Sequence, residues 1–274
     1  MIALIGVVLH LAAPSLPRPT ADRFDARQAW ARLVHQVRLG PRPAGSPASR
    51  KLAAELKAAL PRGSYQLVPG GLRNVVGFVR GRDPSRYIVV AAHYDTKDIP
   101  NFVGANDGAS GTAVLVQLAR TIKPRTIGPS VVFLALDGEE VPAGIPASQF
   151  LADGIRGAKV AAPIYRKARA MILLDFVGNK DLQLRRELNS DPALWERLRR
   201  AAIRVGVGSV FPASPTQGPI LDDHYPFAEE GVPSIDVIDF DFPCWHKLCD
   251  DLSAVSMQAL DVTGETTVEL LRSF

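Results

Sequence analysis

The period of the apolar residues changes several times along this chain. FDARQAWARLVHQVRLG (24–40) carries them at helical spacing and closes on Gly40. GPRPAGSP then breaks the pattern. Ser46 or Ser49 is placed to cap a second helix that runs through Leu60. RNVVGFVRG (73–81) and YIVVAAHYD (87–95) read as strands separated by the polar turn RDPS. SGTAVLVQLART reads as a helix, VVFLALD as a strand, and AMILLDFVG (170–178) as another. PALWERLRRAAIRVG (192–206) is amphipathic and helical, PSIDVIDF (233–240) is a strand, and VSMQALDVTGETTVELLR is a terminal helix. Strands alternating with helices predict an α/β fold, with a mostly parallel sheet covered on both faces.

No repeat and no second linker interrupts residues 21–274, which are expected to form one domain. At 274 residues and 47% hydrophobic, the chain is long and oily enough for a full core. The net charge is +4, but the basic residues are scattered, and no basic run exceeds two residues, as at Arg185-Arg186 and Arg199-Arg200. That pattern lacks the basic stripe or aromatic–basic interleaving of a nucleic-acid binder. Two cysteines, Cys244 and Cys249, exclude a disulfide framework and leave room for one bridge. The opening MIALIGVVLHLAA is shorter than the ~20 residues of a stable membrane span. It matches the apolar region of a secretory signal, with Ala12 and Ala13 near a cleavage point, although no Lys or Arg precedes Arg18. Residues 1–20 are therefore expected to be a signal-like segment plus a stiff Pro-rich linker, PSLPRPT. The protein is expected to be exported, periplasmic or secreted, either free or anchored by that segment; the alternative is a cytosolic chain with an apolar terminus.

VVFLALDGEE (131–140) poses the chemical question, because an apolar strand ends in Asp137, Glu139 and Glu140. In open α/β sheets, ligands bind beyond the carboxyl ends of strands. The other strand ends look alike. YIVVAAHYD delivers His93 and Asp95, AMILLDFVG delivers Asp175, and FDFPCWH delivers His246. GANDGASG places Asp107 at the mouth of a helix, and LDDHYPF adds Asp222, Asp223 and His224. Singly, each has an ordinary explanation. Asp107 fits a helix N-cap, His93 a satisfied core histidine, and Asp222–His224 a solvated helix start. Asp175 is harder to dismiss, since a carboxylate inside an apolar strand is costly unless paired, hydrogen-bonded or bound to metal. Jointly, two histidines and four or more acids at one sheet edge make a nitrogen–oxygen donor set suited to Zn²⁺. Cys244 and Cys249 flank His246, but a thiolate site needs more cysteines, and they read as outside the ligand set.

AHYDTK, GANDGASG, DGEE, LLDFVG and the late histidine, in this order, resemble the co-catalytic zinc aminopeptidases and their relatives, the glutaminyl-peptide cyclotransferases. The resemblance covers roughly residues 24–274. It implies a three-layer α/β/α sandwich around a twisted, mostly parallel mixed sheet. It also implies one zinc on Asp107, Glu140 and His246. A second metal, as in the peptidases, would use His93 and Asp175 and share Asp107. Asp95 would orient His93, and Glu139 would be the general base. Adjacent residues of an extended segment point to opposite sides, which lets Glu140 hold metal while Glu139 faces the substrate.

LDDHYPF and Trp245-His246 are closer to the cyclase branch, as is the long segment after Glu140. Residues 141–157 contain no tryptophan, although animal cyclases carry one there. The preferred reading is therefore conversion of N-terminal glutamine to pyroglutamate with release of ammonia. Glu139 would move the proton, Asp175 and Asp222 would hold the amide nitrogen, and Trp245 would wall the substrate. The alternative is an aminopeptidase whose nucleophile is a metal-bridging water. Both take a peptide or protein N-terminus as substrate and neither takes nucleic acid. A non-catalytic binding domain on the same scaffold would have lost ligands, and here every ligand position is filled.

Overall fold

The structure is a computed structural model that describes residues 15–214 and 218–274. In chain order the strands are β1 (Ser64–Val68), β2 (Leu72–Val79), β3 (Asp83–His93), β4 (Pro129–Leu136), β5 (Met171–Asp175) and β6 (Ser234–Ile238). They form one sheet in the order β1-β2-β4-β3-β5-β6. β4, β3, β5 and β6 run parallel, and β2 and β1 add an antiparallel edge. Every residue of β4, β5 and β6 is buried, as continuous apolar strands covered on both faces must be.

The strand pleat divides the core in two. Ile88, Val90 and Ala92 face α1 (Ala26–Arg38), α2 (Pro47–Ala59) and α3 (Ala109–Thr121), in a cluster that also takes in two later helices. Val89 and Ala91 face the opposite layer, built from α4 (Phe150–Asp153), α5 (Arg156–Tyr165) and α7 (Tyr225–Glu229). The two later helices are α6 (Pro192–Arg204) and the terminal α8 (Met257–Arg272). The result is the expected three-layer sandwich. Side-chain caps fix where helices begin: Asp25 for α1, Ser46 rather than Ser49 for α2, Asp191 for α6 and Ser256 for α8. Gly264 lets α8 close on Phe24, because a Cβ there would lie 2.3 Å from the ring.

Some local expectations are corrected. RDPS is not a turn; β3 already begins at Asp83, with an irregular register between Asp83 and Tyr87. β1 was not expected. SYQLV sits at the sheet edge with only Val68 buried, so it carries little apolar signal. Residues 16–20, read as a linker, lie against the domain. Leu16 packs on the core, the Pro17 carbonyl accepts from Gln258 Nε2 at 3.0 Å, and Thr20 N–H donates to the Val205 carbonyl at 2.9 Å. The signal-like stretch 1–13 lies outside the described residues. Among the described residues no helix is long and apolar enough to cross a membrane.

Candidate metal centre

Parallel neighbours end side by side, so β3 and β5 bring His93 and Asp175 together. His93 Nε2 lies 3.2 Å from Asp175 Oδ1 and 3.3 Å from Asp107 Oδ1. Asp107 precedes α3 but does not cap it; the N-cap is Gly108, at φ 86°, which makes no side-chain cap. A Cβ on Gly108 would lie 2.6 Å from the Asp95 carbonyl oxygen and 3.2 Å from the His93 ring. The left-handed turn thus keeps the loop close to His93. The Asp250 carboxylate fixes the same loop by accepting from the backbone N–H of Asn106 (2.7 Å) and Asp107 (3.0 Å). Sequence reasoning did not single out Asp250.

β4 delivers the two glutamates through Gly138, at φ 76°. Asp95 holds this segment, accepting from the N–H groups of Gly138 (3.0 Å), Glu139 (3.2 Å) and Glu140 (3.3 Å). Its Oδ1 stands 3.7 Å from His93 Nδ1, beyond hydrogen-bond length, so in this structure its hydrogen bonds go to the glutamate segment. On the far side His246 Nε2 lies 3.0 Å from Glu140 Oε1 and 3.5 Å from Asp107 Oδ2. Lys97 Nζ donates to the other Glu140 oxygen at 2.9 Å.

Asp107 therefore offers one oxygen to each of two triads, His93–Asp107–Asp175 and Asp107–Glu140–His246. In each triad the candidate ligand atoms lie within 4.8 Å of one another. Asp107 Oδ2 is buried with no hydrogen-bond partner. Burial and the neighbouring Glu140 raise the Asp107 carboxyl to about 8. Such a site suits a cation, and an imidazole with two carboxylates fits zinc. Burial works to raise Glu140 too, but His246 and Lys97 outweigh it and hold it below its usual value. Glu139 has no such partner; burial and then Glu140 push it well above the carboxylate range.

A cavity of about 420 Å³ opens over these groups and is lined by Glu139, Asp175 and Asp222. Burial and then Asp175 raise Asp222 to about 7. One wall is aromatic, with Trp245 4.8 Å from the His246 ring and 4.9 Å from Phe240. Phe150 of α4 lines the cavity as well, so the segment without a tryptophan still supplies an aromatic ring. Cys244 and Cys249 are disulfide-bonded across His246, which removes both sulfurs from the donor set.

Asp222, Asp223 and His224 are buried, not a solvated helix start. A residue the sequence did not flag, Glu187, holds the segment before them. Its Oε2 accepts from the N–H of Ile220 (3.1 Å) and Asn189 (2.7 Å), and Oε1 lies 3.4 Å from His224 Nε2. Burial would raise the Glu187 carboxyl, yet the contacts of His224, Ser190 and the Ile220 N–H bring it down to about 2. A depressed carboxyl contributes stability above its ordinary 4.5 and loses it as pH falls towards 2. Glu187→Gln is expected to flatten the stability profile over that window and to cost about 1–3 kcal/mol at neutral pH. Urea unfolding at pH 7 and pH 3 checks this; equal losses at both would remove the ionised Glu187 from the account.

The fold is the zinc-exopeptidase-like α/β sandwich, and the donor set sits at its strand ends. The chain belongs to peptidase family M28, whose profile matches residues 74–271. It is similar to the crystal structure of an Acidobacteriales bacterium glutaminyl cyclase, with 30% identity, TM-score 0.78, and coverage of 96% of this chain and 98% of that one. It is also 28% identical over 206 residues to the aminopeptidase YwaD of Bacillus subtilis. That match covers 70% of this chain but only 42% of the relative's length. A probable zinc metalloprotease of Pyricularia oryzae is 40% identical over 99 residues, 34% of this chain and 19% of that protein. The family is one of peptidases, and the zinc named for the last of these relatives agrees with the donor set seen here.

Proposed function

We propose that the protein is a zinc-dependent glutaminyl-peptide cyclotransferase, with residues 21–274 as its catalytic unit, residues 16–20 packed against that unit, and the signal-like stretch before them directing export. The observation that carries this reading is Asp222, buried beside Asp175 in a cavity with an aromatic wall. Burial and the neighbouring Asp175 raise Asp222 to about 7, so the Asp222 carboxyl can carry a proton near neutrality. That pair can hold an amide nitrogen. The likeness to a glutaminyl cyclase over nearly its whole length supports the same choice.

Asp107, Glu140 and His246 would hold the zinc, which supplies Lewis acidity towards the glutamine γ-carbonyl when bound. The side chains do the rest. Trp245 and Phe240 fold the glutaminyl side chain back so that its own α-nitrogen meets the γ-carbon. The α-amine has a reference pKa of about 7.7–8.0, so at neutral pH much of it must first give up a proton. Glu139, kept above the usual carboxylate range, takes a proton from that nitrogen and delivers one to the departing amide nitrogen. The new bond joins the α-nitrogen to the γ-carbonyl carbon, the old C–N bond breaks, and ammonia leaves.

One observation favours a second reading. The His93–Asp107–Asp175 triad provides a second metal place, as an aminopeptidase requires. There Asp175 is a ligand and Glu139 serves as base towards water. Purified protein assayed on Gln-peptides and on aminoacyl amides separates the two. Ammonia release with pyroglutamate formation is expected to exceed amide hydrolysis, and Trp245→Ala to raise KM for Gln-peptides. Rapid release of N-terminal Leu or Ala with no pyroglutamate would reverse the choice.

A further inference from the structure

The basic residues that look scattered in sequence are gathered by the fold. Acids collect at the carboxyl ends of the parallel strands, and arginines collect at the opposite end. Arg62, Arg80, Arg120, Lys123 and Arg125 line one hollow of about 750 Å³, between the ends of α2, β2 and α3. Arg86, Arg169 and Arg197 line a second, of about 190 Å³, beside Pro129. The two adjoin, because Gly81 abuts the Pro129 backbone so closely that a Cβ would lie 2.2 Å from it.

Among the described residues no acidic side chain lines either hollow. Among the described residues, Arg86 is the one of these eight cations that is ion-paired, to Asp83. Other acids near this end are already engaged: Asp191 caps α6 beside Ser234, Glu196 pairs with Arg199 and Arg200, and Glu229 and Glu230 close α7 towards β6. Like charges held together without counter-ions cost stability and attract an anionic partner. Apolar surface accompanies them. Ile164 is 59% exposed at the same end, two and three residues before the exposed Arg166 and Lys167. Among the described residues the two rings that line these hollows are already covered by cations, Phe78 by Arg62 and Phe274 by Arg197, which leaves no free ring there for stacking a base. Cations around shallow hollows with a protruding aliphatic side chain fit phosphate headgroups above an apolar interior.

We propose that this end of the sheet is a docking face for an anionic membrane surface. Docked so, the molecule turns the cavity over Glu139 and His246 away from the lipid and towards soluble peptides. The association is electrostatic, so salt weakens it.

Co-sedimentation of the full chain with phosphatidylglycerol–phosphatidylcholine vesicles and with pure phosphatidylcholine vesicles tests this. Binding is expected only to the anionic vesicles and is expected to fall at least tenfold at high salt. The Arg80→Ser, Arg120→Ser, Arg125→Ser variant is expected to lose at least tenfold in partitioning while turnover of a soluble peptide stays unchanged. Lys123→Ser alone, at an exposed position, is expected to give a smaller loss in the same direction. Equal binding to both vesicle types would overturn the proposal, because an apolar N-terminal segment binds without regard to charge. Wild-type partitioning by the triple variant would overturn it too. Retention on heparin with no vesicle binding would assign the face to a soluble polyanion instead.

Discussion

Glu139→Gln is expected to keep fold and zinc content while lowering kcat roughly 10²–10⁴-fold, the usual contribution of a positioned acid–base group. The substitution is nearly isosteric, so the cavity keeps its shape. The backbone N–H of residue 139 still donates to Asp95, so the loop stays in place. What disappears is a carboxyl that lines the cavity without being ion-paired, unlike Glu140, which is tied to His246 and Lys97. The division of labour between adjacent glutamates makes the paired experiment informative: Glu140→Gln should release metal, and Glu139→Gln should not. Zinc measured by mass spectrometry beside kcat decides. Near-normal turnover in Glu139→Gln would remove the acid–base role. The expectation holds for cyclase and aminopeptidase alike, since either must move a proton at this point in the cavity.

The residues of the two triads were legible in the sequence because the signal is local. A buried parallel strand announces itself as an apolar run, and a carboxylate or imidazole just past its end stands out against it. His93, Glu140, Asp175 and His246 stood out in this way and Asp107 at the mouth of a helix, while their grouping into ligand sets came from the resemblance to the zinc aminopeptidases and cyclotransferases. The parallel register that brings His93 and Asp175 together follows from the same alternation of strands and helices. What stayed hidden depends on partners far along the chain. Asp222, Asp223 and His224 look like a solvated helix start until Glu187 is seen beside His224, and nothing near Glu187 marks it. Asp250 is similar, since its hydrogen bonds reach back to residues 106 and 107. Phe150 was obscured for another reason: a missing tryptophan at 141–157 drew attention to composition, whereas a phenylalanine on α4 reaches the cavity. β1 escaped because an edge strand with one buried residue carries almost no pattern. Charge behaved likewise, being scattered in the chain and segregated in the fold.

Removal of the metal ligands is expected to have the other large effect. A His246→Ala, Glu140→Ala double variant removes two of the three donors of one triad and should lose the zinc held there together with nearly all activity. The remaining carboxylate, Asp107, is buried and gains nothing from solvent. Chelation of the wild type should lower its thermal stability, because zinc bound only by the folded chain adds its binding free energy to folding. In the double variant a chelator should shift the melting temperature less, and that readout does not depend on turnover. Full zinc occupancy in the double variant would place the metal elsewhere. His93→Ala then separates the two enzyme readings at the level of stoichiometry. In a one-zinc cyclase the content per chain stays at one, and His93 serves only to face Asp175 and Asp107 at 3.2 and 3.3 Å. In a two-zinc aminopeptidase the content falls from two to one and activity goes with it. The two outcomes cannot both occur, and each is tied to a triad whose atoms already converge on Asp107.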